Sequence, residues 1–396
     1  MRFVVICLLI LAIMFLGHSI YSRSRVNKLL DQAVGQLPAS PTQSYNTMKQ
    51  VFEFNNLVSM GKSGAAEQTY LRTVRQTLTQ ALANPAVGAA NFDQAQEALR
   101  VLKDFQQRTG LDTRQAQTAI TQAAKDATAR IKEQGTLSAW NGMLSFFKTM
   151  NEAGLIPPLV FEDFNAWLAE VEKVPRRPLG LRDAIVNASA ALSSALGQIG
   201  MTASRQDGAF VLAPPTPLTD QQLIAAEKAL NQGLEALNQF KSLFKESRTP
   251  PELAGLQAKI LYNRAALKLA HLQERGSSIN ASGSNYIADL LIQPGTATVP
   301  TVAEMVSAFI QGAQGDFQQA GQFFPQAASL PEPLRQAYAA LAAWGEGLLA
   351  AFMPGVAQAS IFAKAEGLTA GVGGSAAAIP QAMRASQRVL MIVQAP

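Results

Sequence analysis

The chain holds a single cysteine, Cys7, and two histidines, His18 and His271, in 396 residues. That scarcity excludes a disulfide framework and leaves no His or Cys cluster for a transition-metal site. A Ser-His-Asp or Cys-His arrangement would have to rest on His271 alone, because Cys7 and His18 belong to an apolar N-terminal stretch. His271 therefore reads as a packing or surface histidine. Charge is scarce too, at 15% of residues against the roughly 25% usual in soluble domains. Ala, Gln, Ser, Thr and Asn stand where Lys and Glu would be expected. A surface covered by partner subunits accounts for this, since interface cores are charge-depleted; compositional drift in an Ala- and Gln-rich exported protein gives the same pattern. The net charge of +5 is scattered, and only Arg23 to Lys28 and Pro175-Arg176-Arg177-Pro178 cluster. No basic stripe exists, so nucleic acid is not an expected partner. Gly61-Lys62-Ser63 ends like a phosphate-binding loop, but Asn56 stands where that loop needs its first glycine. No cofactor, catalytic residue or metal ligand is assigned.

What is present begins with Phe3 to Leu16, an unbroken apolar run made by Phe3, Val4, Val5, Ile6, Leu8, Leu9, Ile10, Leu11, Ile13, Phe15 and Leu16 with Cys7, Ala12 and Met14. From Phe3 to Tyr21 a helix rising about 1.5 Å per residue spans roughly 28 Å, just enough for a bilayer. The expectation is a single transmembrane signal-anchor. Gly17-His18-Ser19 has the small-x-small form of a cleavage site, so cleavage after Ser19 is the competing outcome. Arg23, Arg25 and Lys28 follow the run and suit contact with anionic lipid at the membrane surface. Their charge favours a cytoplasmic domain, whereas the signal-like core favours export. The expected address is a bacterial inner membrane, single-pass, with the domain on the periplasmic side.

Beyond the anchor, apolar residues recur at three and four, punctuated by Gly and Pro, and strand-like alternation is nearly absent. The fold class expected is all-α, an elongated domain of antiparallel helical hairpins. Three segments are expected: 1–36, anchor and juxtamembrane extension; 37–212, an N-terminal helical subdomain; and 213–396, a C-terminal one. Helices are predicted over 44–59 and 67–83, from a cap at Asn91 to Thr109, from Asp112 to Gln134, over 137–153 and over 159–174. The aromatic residues Phe146, Phe147, Phe161, Phe164, Trp140 and Trp167 fall in the last two. PRRPLG at 175–180 reads as a break before a helix over 182–199. Gly208 to Leu212 is the one plausible strand. Thr219 caps a helix with Leu223, Leu230, Leu237 and Phe244 at sevens, Thr249-Pro250-Pro251 turns it, and Leu253, Leu256, Ile260, Leu267 and Leu272 line the return, an αα-hairpin.

The last hundred residues are charge-poor, with Glu346 the only charge between Gln336 and Ala363. Spanning is not expected there, because Gly345-Glu346-Gly347 and Met353-Pro354-Gly355 interrupt the run. Tyr338, Trp344, Leu348, Leu349, Phe352, Ile361 and Phe362 form the candidate partner interface, and Gln381 to Val393 reads as a closing amphipathic stretch. Carboxylate pairs, for example Glu162-Asp163 and Glu170/Glu172, remain as acid/base candidates, and acids near a helix start commonly complement its dipole.

Ser329-Leu330-Pro331-Glu332-Pro333-Leu334-Arg335, continuing as QAYAALAAW, resembles the Leu-Pro-x-Pro-Leu-Arg segment and following helix of IcmF-like inner-membrane components of type VI secretion systems. Pro175 to Ala191 is similar to another helical stretch of that family. The resemblance implies a membrane-anchored helical subunit of an envelope-spanning secretion complex. The expected role is a non-catalytic scaffold whose partners are the lipid bilayer and other protein subunits, with a second copy of itself as a further candidate. An envelope enzyme acting on peptidoglycan or lipid, and a tethered helical module holding a small ligand, are the alternatives.

Overall fold

The computed structural model describes residues 21, 23–58, 64–201, 210–215, 217–276, 285–292 and 300–393. Helices dominate these residues, as the apolar spacing predicts, and the all-α expectation holds apart from one two-stranded ribbon. The anchor run Phe3–Leu16 lies outside the described residues. No described helix is long and apolar enough to cross a membrane. The chain divides into two compact units, Met1–Asp183 and Ala184–Pro396.

In the first unit, α1 (residues 23–36) gives way to a turn, and Pro41 opens α2 (Pro41–Val58) where its missing N–H costs nothing. Then come α3 (Ala65–Ala83), α4 (Ala89–Thr109), α5 (Arg114–Gln134), α6 (Leu137–Glu152), α7 (Phe164–Glu172) and the start of α8 (Arg176–Gln198). α3 packs on α5, and α4 on α6. Phe105 is the hub of one ring cluster, 5.6 Å from Phe52 and 5.9 Å from Tyr70. Phe146, Phe147, Phe161, Phe164 and Trp167 meet in a second, with Trp167 4.6 Å from Phe147 and 4.7 Å from Phe161.

Three local expectations are corrected here. Asn91 is not the cap of α4 but its third residue, reaching back so that Oδ1 accepts the Gly88 N–H at 2.9 Å. The helix predicted from Leu159 starts only at Phe164, because Asp163 Oδ1 accepts the Ala166 N–H at 3.0 Å, and Leu159 is left exposed. PRRPLG is not a break but the first turn of α8, a place where Pro178 is tolerated because first-turn N–H groups have no helical partner. The next turn has a second use. Arg182 donates to the carbonyls of Gly135 at 2.6 Å, Glu133 at 2.7 Å and Lys132 at 3.0 Å, closing the C-terminus of α5 with a cation where the helix dipole favours one.

The second unit comprises the rest of α8, β1 (Val211–Leu212), α9 (Asp220–Leu243), α10 (Pro251–Arg275), α11 (Tyr286–Leu291), α12 (Val302–Phe323), α13 (Glu332–Leu349), α14 (Gln358–Thr369), α15 (Ala378–Ala385) and β2 (Met391–Ile392). Thr219 caps α9 reciprocally: its Oγ accepts the Gln222 N–H at 3.2 Å, and Gln222 Oε1 accepts the Thr219 N–H at 3.0 Å. α9 and α10 form the predicted antiparallel hairpin, and Arg275 at the end of α10 pairs with Asp220 at the start of α9. α10 is the axis of the unit. It is packed by α9, α12, α13 and β2, so 19 of its 25 residues are buried, far more than a one-sided apolar stripe requires.

The expected boundary after residue 212 falls within this unit, because β1 pairs antiparallel with β2, Val211 opposite Ile392 and Leu212 opposite Met391. The closing stretch Gln381 to Val393 is not one helix. α15 stops at Ala385, and Val389 to Val393 run extended and buried.

The glycines flanking Glu346 let two rings lie on the α13 backbone. A Cβ at Gly345 would sit 2.5 Å from Phe317 Cε1, and one at Gly347 2.5 Å from Phe362 Cε1. Phe317 is fully buried and has nowhere to retreat. Gly345→Ala should therefore cost about 1–3 kcal/mol by overpacking. Gly367→Ala in α14, with open space around it, should leave stability unchanged or slightly raised. Denaturant unfolding of both variants checks this, and equal stabilities would refute it.

Candidate functional site

An open groove lies in the second unit, where the end of α10 meets the turn after α13. It encloses about 880 Å³ and is lined by Pro217, Gln273, Glu274, Arg275, Leu348, Ala351, Phe352, Gln358, Gln387 and Arg388. Its charges are already engaged. Arg388 meets Glu274 at 3.3 Å, Arg275 meets Asp220, and Arg275 Nη2 donates to Leu218 O at 2.7 Å. Gln358 Nε2 donates to Gly347 O at 3.0 Å. Its apolar lining comes chiefly from Leu348, Ala351 and Phe352.

Of the seven predicted interface residues, Leu348 and Phe352 line this groove. Trp344 and Phe362 stack on each other, ring centres 4.6 Å apart, with Ile361 beside Phe362 in α14 and half-buried. Tyr338 and Leu349 are core residues, and Tyr338 packs 5.3 Å from Phe324. The charge-poor stretch thus spends most of its apolar surface on α13 packing against α14 and α12. Arg23, Arg25 and Lys28 are exposed on α1.

The acids singled out in the sequence are exposed and occupied locally. Asp163 caps α7, Glu170 pairs with Lys173 at 2.6 Å, and Glu172 with Lys148 at 2.5 Å. Glu162 is exposed beside them. Among the described residues no group of three or more His, Cys, Asp or Glu is placed to hold a metal.

Sequence reasoning missed a buried ionic chain joining α9, α10, α11 and α12. Tyr286 OH donates to Glu227 Oε2; Lys268 Nζ lies 3.4 Å from Glu227 Oε1 and 3.7 Å from Asp316 Oδ2. Arg264 grips Asp316 with Nη2 at 2.6 Å and Nε at 2.8 Å, and reaches Asn231 at 2.7 Å. Glu227, Lys268 and Asp316 are all buried. The signal was available: Glu227 stands between Leu223 and Leu230 on the apolar stripe of α9, where a charge needs a partner. Desolvation beside Glu227 holds the Tyr286 hydroxyl well above its ordinary range, so it stays a donor.

His271 adjoins this chain, 5.3 Å from the ring of Tyr286 and 5.9 Å from that of Phe309, and neither nitrogen has a hydrogen-bond partner. It is a packing histidine. Burial lowers its pKa, with Asp220 acting to raise it and Arg275 to lower it further. The unfolded chain then takes up a proton near its ordinary 6.5 while the folded chain does not, so stability is complete above about pH 6.5 and falls as pH drops below it. His271→Phe should flatten that decline between neutral pH and pH 5, read by unfolding at each pH. An unchanged slope would sink the assignment.

The segment carrying the family resemblance has a local structural role. Pro331 stands at the cap of α13 with Pro333 in its first turn, and Arg335 Nε folds back to Leu330 O at 2.7 Å. No family model, curated protein or solved structure matches the chain.

Proposed function

We propose that this chain is a membrane-tethered, non-catalytic scaffold subunit of an envelope-type protein assembly, of the secretion class its short resemblance suggests. The observation that carries the reading is the 14-residue apolar run from Phe3 to Leu16 ahead of a large, charge-poor helical domain. The groove at Leu348 and Phe352 supports it by offering apolar surface whose burial contributes about 25 cal/mol per Å² before association costs. In this role the protein acts by position: the run holds the domain at a bilayer and helix faces receive neighbouring subunits.

Fractionation and sizing of the full chain test it. The chain should remain with membranes after alkaline washing, and Leu9→Lys with Ile10→Lys should release it. In detergent it should migrate as a complex that shrinks when Leu348 and Phe352 are replaced by glutamate. A full chain that stays in the soluble fraction, or a monomer unaffected by the groove substitutions, overturns the reading.

A further inference from the structure

α9 and α12 both pack on α10, and a groove of about 700 Å³ runs over α10 between them. Asn231 and Asn238 line it from α9, Gln257, Leu261 and Arg264 from α10, and Gln319 from α12. No aromatic ring lines the groove, so a sugar or a base finds no face to stack on. Its guanidinium is already neutralised by Asp316. What remains unspent is carboxamide. Gln257, 8% exposed, accepts the Thr249 hydroxyl on Oε1 at 2.7 Å and keeps its Nε2 donors unpaired among the described residues. Asn238 and Gln319 are exposed, and their side chains make no hydrogen bond among the described residues.

These groups stand in two tiers. In the first, Arg264 meets Asn231 at 2.7 Å. Seven residues along each of the two antiparallel helices, Asn238 and Gln257 make the second. Two turns of helix rise about 10.5 Å, and three residues of extended chain cover about 10 Å. The tiers therefore match the repeat of an extended main chain. The same helix α10 shows what such groups do elsewhere along its length. Asn263 donates from Nδ2 to Ile392 O at 2.9 Å and accepts the Ile392 N–H on Oδ1 at 2.9 Å. Gln273 accepts the Val389 N–H at 3.0 Å and donates to Gln387 O at 3.2 Å. A carboxamide carries a donor and an acceptor side by side, as a peptide unit does, and so grips a main chain whatever side chains that chain carries.

We propose that the groove between α9 and α12 is a binding site for an extended peptide segment of a partner protein, held by its main chain on Asn231, Asn238, Gln257 and Gln319. Main-chain bonds supply the affinity, and Leu261 takes an apolar side chain between the tiers. The site adds a second receiving surface to the scaffold reading without depending on it, since peptide capture is measured whether or not the chain sits in a membrane.

The test pans a display library of random dodecapeptides on the native full chain and on Asn238→Ala with Gln319→Ala, two exposed changes whose harmlessness an unchanged unfolding midpoint verifies. Selected clones should bind the native chain about tenfold or more better than the variant, the loss expected for one or two hydrogen bonds. A selected peptide made synthetically should hold its affinity for the native chain within about threefold when its side chains are replaced singly by alanine, and lose about tenfold or more when alternate amides are N-methylated. The N-methylation arm uses only native protein. A library that yields no clone preferring the native chain overturns the proposal, and so does a peptide whose binding survives N-methylation. An N-acetylglucosamine tetramer that binds the native chain and not the variant would make the groove a glycan site and overturn the peptide assignment.

Discussion

Replacing Lys259 with methionine should stabilise the second unit by roughly 3 kcal/mol at neutral pH, at a tenfold change in proton affinity per 1.4 kcal/mol. Lys259 lies on α10, 2% exposed, and no carboxylate pairs with it among the described residues. Burial alone pushes its ammonium down to about 8 from an ordinary 10.5. Below pH 8 both folded and unfolded chains carry the proton, so the native state bears the whole cost of a desolvated cation. Between pH 8 and 10.5 the folded chain sheds a proton that the unfolded chain keeps, and native stability rises through that window. Methionine has nearly the same shape without the charge. The gap between variant and native protein should therefore be widest at pH 7 and vanish by about pH 10.5. Trp344 is the only tryptophan of the second unit, so Trp140→Phe with Trp167→Phe makes its fluorescence a reporter of unfolding there. A variant less stable than the native chain, or a gap that does not close with pH, would contradict this account.

Lys259 also illustrates which features the sequence could reveal. Helices were legible wherever local chemistry determines them: the Thr219 and Gln222 reciprocal cap, the Leu223 to Leu237 spacing, the proline turn at 249–251. The short strand at Val211 was legible too, from its apolar residues between turn signals. Misread positions were those where a residue serves something distant. PRRPLG resembles a break in isolation but opens α8, and Asn91 reads as a cap because its reach back to Gly88 depends on the turn before it. The tail was read only as an amphipathic stretch, and its strand was not legible because its partner side chain, Asn263, is 129 positions away. Likewise α10 carries Lys259, Asn263, Arg264 and Lys268 at positions that look solvent-facing when only one apolar stripe is counted. Packing on several sides buries most of them, and no periodicity in α10 alone announces that.

The largest loss is expected from Asp316→Ala, about 3–5 kcal/mol, the usual cost of removing one partner from a buried ion pair. Among the described residues Asp316 alone forms ion pairs with both cations, taking two bonds from Arg264 and lying 3.7 Å from Lys268. Its removal leaves Arg264 with Asn231 and Lys268 with Glu227 at 3.4 Å, a surplus of positive charge at the centre of the unit. Asp316→Asn, which keeps the shape and one acceptor, should lose less. The discriminating comparison is Asp316→Leu combined with Arg264→Met. Removing both members takes away the desolvation penalty along with the attraction, so the double variant should be more stable than Asp316→Ala even though it deletes more bonds. Unfolding followed at Trp344 measures all three. If the double variant loses as much as the two single substitutions together, the cluster is a sum of independent bonds. If it recovers stability, the ion chain serves to set the register of α9, α11 and α12 on α10 rather than to strengthen it.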